Sequence, residues 1–130
     1  MRNVVAAIVV GASVLMALGL RPAEAQEDAS KPEFYKAKVQ PIFQQNCFKC
    51  HAGMFRRGGL NMGTREGMLK GGHHGAALVP GDPSNSLILH LIRHEGKTND
   101  PGAMPPKKPR LSDSDVDVVE RWVKAGAVMP

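Results

Sequence analysis

Apolar residues recur at three- and four-residue spacings along most of the chain, which is the pattern of one buried face of an α-helix. The pattern predicts a first helix leading into Cys47, a short helix from Thr64, another after Asp82-Pro83, and a last helix from Ser112. Its clearest apolar positions are Phe34, Ala37, Val39, Ile42 and Phe43 in the first helix, Leu87, Ile88, Leu91 and Ile92 in the third, and Val116, Val119, Trp122 and Val123 in the last.

Capping residues mark where these helices begin and end. Ser30 and Glu33 have the spacing of a capping box, with Pro32 in the first turn. Thr64 and Ser112 are favourable N-cap residues. Pro41 lies inside the first apolar pattern and predicts a kink or break near Gln40, because proline cannot donate the backbone hydrogen bond of a helix interior.

Two long loops interrupt the helical pattern. Residues 52–63 contain four glycines, and residues 95–110 contain four prolines and two glycines, with Met104 in the middle. The predicted fold is therefore all-α, a small helical domain with long Gly/Pro-rich loops.

The N-terminus has the pattern of an export signal. Arg2 precedes an almost wholly apolar run from Val4 to Leu20, and Ala23-Glu24-Ala25 fits a small-x-small cleavage site. We therefore predict a signal peptide over residues 1–25 and a single mature domain over residues 26–130, located in the periplasm. An uncleaved membrane anchor is the alternative, although the apolar run is short for spanning a bilayer.

The strongest chemical signal is the run Cys47-Phe48-Lys49-Cys50-His51, the C-x-x-C-H attachment signal of c-type haem. Two thiols one helical turn apart can form thioethers with the two vinyl groups of a porphyrin, and His51 can then supply the proximal iron ligand. These are the chain's two cysteines. A redox disulfide would be expected in a βαβ unit, and a zinc site needs further ligands. We predict one covalent haem c.

Met104 is the predicted distal iron ligand. A methionine in a polar loop has no packing role there, and the following Pro105 and Pro106 stiffen the backbone that would aim its sulfur. His73 or His74 could instead complete a bis-histidine site. His90 and His94, spaced i and i+4, could bind a surface metal.

Charge narrows the range of partners. The chain has 17 basic and 12 acidic residues, a formal net charge of +5, without a long basic run. Nucleic acid is therefore not an expected partner, and membrane contact is expected only through a partner or an uncleaved signal. Arg57 is a candidate contact for a haem propionate, since guanidinium groups bind carboxylates well. Lys49 and the exposed-loop cations Lys107, Lys108 and Arg110 would favour redox partners with acidic docking surfaces.

The chain resembles the planctomycete-type cytochrome c domain, a class I-like monohaem cytochrome, over roughly residues 32–127. The resemblance rests on Phe34 to His51, Arg57-Gly58-Gly59-Leu60, Thr64-Arg65-Glu66, Leu69-Lys70-Gly71-Gly72, Val79-Pro80-Gly81-Asp82-Pro83, Met104-Pro105-Pro106 and a closing helix with a tryptophan. It implies a cytochrome c-like helical fold wrapped around one covalent haem, with the Met-Pro-Pro run supplying the distal ligand. In that family the domain often belongs to a much larger protein, whose role cannot be transferred.

Together these features predict an electron carrier, not an enzyme. His/Met ligation raises the reduction potential of a haem and leaves no open iron position. The expected function is single-electron transfer between periplasmic or membrane-bound redox partners. The alternatives are a haem enzyme or gas sensor with a vacant sixth site, a haem subunit of a dehydrogenase complex, and a haem-free structural or metal-binding module.

Overall fold

Helices and loops make up the part of the chain that the computed structural model describes, residues 27–95 and 102–130. Within this part, the one β-type pairing is an isolated bridge between Gly72 and Gly75. The prediction of an all-α fold is confirmed. The predicted signal peptide, residues 1–25, lies outside the described residues, and so does part of the predicted loop 95–110.

The first helical run has a π-helical segment in its middle. Helix α1 spans Pro32–Phe34, the π-helical segment Tyr35–Val39, and helix α2 Gln40–Asn46. The Gln40 N–H donates to the carbonyl of Tyr35, five residues earlier. Pro41 has no N–H and its ring would crowd a regular α-helix, and the wider turn ahead of it accommodates this. The structure therefore has a π-helical segment just before Gln40, where the sequence predicted a kink or break.

The predicted capping box at the start of this run is wrong. Lys31 is the N-cap residue, and no side chain caps the helix. The Ser30 hydroxyl and N–H donate instead to the Asp28 carboxylate, at 2.6 and 2.9 Å. These bonds turn the Ser30 side chain toward Asp28, and its hydroxyl oxygen accepts no hydrogen bond from the N–H groups of the helix.

The middle of the chain forms short helices joined by tight turns. Helix α3 spans Phe48–His51, α4 spans Arg65–Lys70 and α5 spans Leu87–Ile92, with 3₁₀ turns at Arg57–Gly59 and Pro83–Asn85. The Thr64 hydroxyl accepts from the N–H of Gly67, so its predicted N-cap role is confirmed. Asp82 caps the 3₁₀ turn and not α5. Helix α5 begins one turn later than predicted, at Leu87, with Ser86 as its N-cap residue.

Helix α6, Asp113–Lys124, packs against the first helical run through a fully buried aromatic cluster. The Trp122 ring lies 5.5 Å from Tyr35 and 5.7 Å from Phe43, between ring centroids. Its indole N–H donates to the Val128 carbonyl at 2.8 Å, so the buried polar atom is satisfied and the C-terminal tail is held. Ser112 caps α6, and the predicted buried face is confirmed.

A tight loop after α4 brings glycine residues close to other backbone groups. Gly71 ends α4 with a positive φ of 73°. A Cβ atom at this position would collide with the carbonyl oxygen of Gly75 across the β-bridge. Gly75 also has a positive φ, 92°, but open space surrounds the position of its missing Cβ. Both glycines therefore have a positive φ that other residues rarely adopt, but only at Gly71 would an added Cβ collide with backbone atoms.

We expect Trp122→Ala to lower the free energy of unfolding of the haem-loaded protein by about 3–5 kcal/mol, because it removes the largest buried side chain and leaves a cavity between two helices. Guanidinium denaturation followed by far-UV circular dichroism measures this loss. Lys124→Ala, on the exposed side of the same helix, should change stability by less than about 0.5 kcal/mol. A loss below about 1 kcal/mol for Trp122→Ala would contradict the packing described here.

Gly71→Ala should destabilise the protein by about 1–3 kcal/mol more than Gly75→Ala, since both replacements disfavour a positive φ but the first also forces a Cβ against backbone. Thermal unfolding of the two variants, purified in parallel, gives the comparison. Equal destabilisation by the two substitutions would show that the loop relaxes freely around Gly71.

Candidate haem site

The C-x-x-C-H run forms a single helical turn. Cys47 lies between α2 and α3 with φ −127°, outside the helical region, and its carbonyl accepts from the N–H groups of Cys50 and His51 at 3.1 and 3.0 Å. This turn places both thiols and the imidazole on the wall of one cavity. The two cysteines and the histidine therefore lie within one helical turn and line the same cavity, as the motif predicts.

The cavity has a volume of about 330 Å³, within the range of roughly 300–1,000 Å³ typical of cofactor pockets. Its wall is mostly apolar and comes from parts of the chain far apart in sequence. The apolar lining consists of Leu60, Met62, Ala77, Leu87, Ile88, Leu91, Ile92, Pro105 and Pro106. The polar lining consists of Asn46, His73 and His74, together with Arg57 at the edge.

The environment of His51 favours the neutral imidazole that binds iron. Burial is the main cause that lowers its pKa, and the positive charge of Arg57 lowers it further, while the carbonyl groups of Arg57 and Leu60 partly offset this. Its Nδ1 atom is buried and has no hydrogen-bond partner of good geometry within the described residues. The His51 carbonyl accepts from the N–H of Met62 at 2.6 Å, which anchors the turn to the following loop.

The Cys47 thiol lies in an apolar environment. Burial, with a smaller contribution from the nearby Cys50, raises its pKa to about 12. A thiol with this pKa is neutral at physiological pH, a poor nucleophile and a poor metal ligand. Such a site disfavours a redox-active thiolate, whereas an uncharged thioether can occupy it without desolvating a charge.

Met104 lies on the same cavity, although it is 53 positions after His51 in the sequence. Its N–H donates to the Leu91 carbonyl at 3.1 Å, and further along the Leu111 N–H donates to the Ile92 carbonyl at 3.2 Å. Both bonds attach the loop to the C-terminal end of α5. The peptide bond to Pro105 is cis.

The rival histidines divide into two groups. His73 and His74 line the cavity, and the His73 N–H donates to the Gly58 carbonyl at 2.8 Å. His90 and His94 are not among the lining residues. His90 contacts the Ser84 carbonyl, at 2.7 Å, and Glu95. No group of three or more metal-binding side chains occurs within the described residues.

The two adjacent arginines also differ. Arg57 lines the cavity and remains the candidate for a propionate contact. Arg56 is not a lining residue, and its Nε donates to the Gly53 carbonyl at 3.3 Å. Trp122, which the apolar pattern placed on the buried face of the last helix, belongs to the core.

Residues 47–108 match the family model described as planctomycete cytochrome c. The chain contains a planctomycete-type cytochrome c domain. The match begins at Cys47 and ends just after the Met-Pro-Pro run, so it includes both predicted ligand segments. No curated protein and no solved structure matches the chain significantly.

A cytochrome c domain implies covalently bound haem c, and the residues present fit that group. Two thiols, one turn apart, share a cavity with an imidazole whose pKa is lowered and with a thioether sulfur. The apolar wall suits a porphyrin, and Arg57 at the edge suits its carboxylates.

The apolar face of α5 was predicted from the sequence to pack in the protein core. Its contribution to the cavity wall was not predicted. Leu87, Ile88, Leu91 and Ile92 line the cavity, whereas Leu89 is fully buried in the core. The apolar pattern identified a buried face, but it carries no information on whether the neighbour is protein or cofactor. Ala77 was missed because a lone alanine in a loop gives no signal.

We expect the protein, exported by a strain with haem-attachment machinery, to gain the mass of one haem in denaturing mass spectrometry. Replacing both thiols, Cys47→Ala with Cys50→Ala, should abolish this gain, because no thioether can form. His90→Ala, which changes a histidine that does not line the cavity, should retain it. An increment of zero or two haems in the wild-type protein would contradict the single-haem prediction.

Proposed function

We propose that this protein is an exported c-type cytochrome that carries single electrons between periplasmic or membrane-bound redox partners. One covalent haem c, ligated by His51 and Met104, is the proposed cofactor. The observation that supports this most is the shared cavity, since Cys47, Cys50, His51 and Met104 all line it. The family assignment supports the coarser conclusion, a c-type cytochrome.

Each of these side chains has a distinct role in the proposal. Cys47 and Cys50 hold the cofactor through thioethers, and His51 provides a neutral imidazole. Met104 provides a thioether from a segment that bonds to α5 at Met104 and again at Leu111. The bound haem supplies a one-electron couple whose potential rises with thioether ligation. A rigid ligand loop keeps the coordination the same in both oxidation states, which lowers the reorganisation needed for electron transfer.

The wall of the cavity also argues for a carrier. Among its described lining residues there is no carboxylate, and the acid–base groups are histidines. His73 and His74 are the observation that favours the second candidate, a haem enzyme or gas sensor in which Met104 does not bind. A dehydrogenase subunit is a variant of the carrier role, in which the electron donor is part of the same complex.

Export is proposed from the N-terminal pattern alone. The apolar run before Ala23-Glu24-Ala25 supports cleavage after Ala25, and covalent haem attachment in bacteria takes place outside the cytoplasmic membrane. Among the described helices, none combines the length and apolarity that crossing a bilayer requires.

Met104→Ala tests the proposed ligation. We expect the wild-type protein to be low-spin with a weak far-red band from the sulfur–iron bond in the ferric state. The variant should lose that band, and its reduction potential should fall by about 0.1 V or more, because axial ligands tune haem potentials over roughly 0.8 V. Visible spectroscopy and a redox titration measure both effects.

Two further variants control this test. Met54→Ala removes an exposed methionine that does not line the cavity and should leave the spectrum unchanged. His73→Gln with His74→Gln should also keep the far-red band. A high-spin wild-type haem that binds carbon monoxide readily would favour the enzyme or sensor instead. Loss of low-spin character in the histidine variant would show that His73 or His74, and not Met104, is the distal ligand.

A further inference from the structure

Two adjacent large apolar side chains are exposed beside the cavity. Met54 is 96% exposed and Phe55 is 69% exposed. In the described part of the chain, the other large apolar residue classed as exposed is Val79, at 37%. Isolated exposed apolar residues are ordinary on protein surfaces, but a concentrated pair indicates an interaction site.

The loop that carries this pair is held in place by hydrogen bonds. The Phe55 N–H donates to the Ala52 carbonyl at 3.3 Å, and the Gly59 N–H donates to the Arg56 carbonyl at 2.9 Å. The bond from His73 to Gly58 joins the loop to the segment after α4. Because the backbone is already ordered, a partner that binds these side chains pays less conformational entropy.

The pair lies close to the mouth of the cavity. His51, three residues before Met54, and Arg57, two residues after Phe55, both line the cavity. Two residues of chain span at most about 7 Å, so the Phe55 backbone lies within this distance of Arg57. A protein that covers Met54 and Phe55 would therefore contact the edge of the site.

The surroundings of the pair are positively charged. The sequence contains no acidic residue between Glu33 and Glu66. Lys49, Arg56 and Arg57 are exposed, and none of the three forms an ion pair within the described residues. Apolar side chains next to unpaired cations match a partner surface with an apolar centre and an acidic rim.

We propose that Met54 and Phe55 are the apolar anchor of a docking surface for an acidic electron-transfer protein, with Lys49, Arg56 and Arg57 as its basic rim. This inference rests on the proposed electron-carrier function. In the docked complex one electron leaves the reduced cytochrome and reduces the partner's metal centre by one unit, and no bond forms or breaks. The cations would speed encounter, and the anchor would hold the complex long enough for transfer.

A protein partner fits the pair better than a membrane surface does. Interfacial membrane segments are typically amphipathic helices with a long apolar face. A single weakly binding membrane anchor gives only reversible binding, and stable anchoring takes two of them. Here the exposed apolar surface consists of two side chains on a turn. Its size resembles the few-residue hot spot of a protein interface, where aromatic residues are enriched.

The test uses stopped-flow mixing of the reduced cytochrome with an oxidised blue copper protein that has an acidic surface patch. Met54→Ser with Phe55→Ser should lower the second-order rate constant about five-fold or more at both low and high ionic strength, the effect of losing an interface hot spot. Arg56→Gln should slow transfer at low ionic strength, and high salt should remove the difference.

Matched controls separate docking from the redox centre. Val79→Ser changes an exposed apolar residue that does not line the cavity, and Lys124→Gln removes an exposed cation on α6; both should transfer at the wild-type rate. The rates at which the variants reduce ferricyanide should differ only as far as their net charges differ. Their spectra and reduction potentials should be unchanged. These readouts show that the haem site is intact.

Transfer by the double serine variant at the wild-type rate would overturn the inference. Binding of the wild-type protein to phosphatidylglycerol vesicles, lost in that variant while transfer to the copper protein is unchanged, would overturn it in favour of a membrane surface. A wild-type protein that reduces ferricyanide but not the copper protein would refute the docking surface alone. A wild-type protein with a high-spin haem that cycles with neither oxidant would refute the carrier function as well.

Discussion

The packing of Trp122 against Tyr35 and Phe43 is the contact on which the rest of the structure depends. It joins α6, the last helix, to the first helical run, whose end leads directly into Cys47. The indole hydrogen bond to Val128 closes the C-terminal tail over the same cluster. With the two ends of the described chain held together, the residues between them form loops and short helices around one cavity.

That cavity is what distinguishes this fold from an ordinary small helical domain. A short chain can bury only a limited apolar area, and here much of the apolar face of α5 also lines the cavity. A bound porphyrin would cover this face and add the apolar contact that the protein itself does not supply. Binding of the cofactor and packing of the core are therefore linked, and we expect the free energy of unfolding to depend on haem loading.

Uncharged and charged groups occupy different parts of the site. The interior holds groups that burial keeps uncharged, a thiol whose pKa is raised and an imidazole whose pKa is lowered. The charged groups lie at the rim, where Arg57 is exposed. An uncharged interior with an exposed cation at the rim is compatible with the proposed role in electron transfer.

The sequence alone determined the features that depend on neighbouring residues. The C-x-x-C-H run specifies its own helical turn, and capping by Thr64 and Ser112 follows from short side chains that reach the next turn. Pro41 indicated a disturbance of the helix near Gln40, because proline lacks the N–H in any fold, but the π-helical form that the disturbance takes was not predicted. The capping box failed because the Ser30 side chain bonds to the Asp28 carboxylate, and Lys31, one residue later, takes the N-cap position.

Features that depend on distant contacts were decided only by the tertiary structure. Met104 reaches the cavity of His51 because its loop bonds to α5, a contact that no local pattern encodes. The same holds for Arg57 and Arg56, which are neighbours with identical chemistry, yet only the first lines the cavity. Whether an apolar residue is core, as Leu89 is, cavity wall, as Leu91 is, or exposed, as Phe55 is, depends on what packs against it.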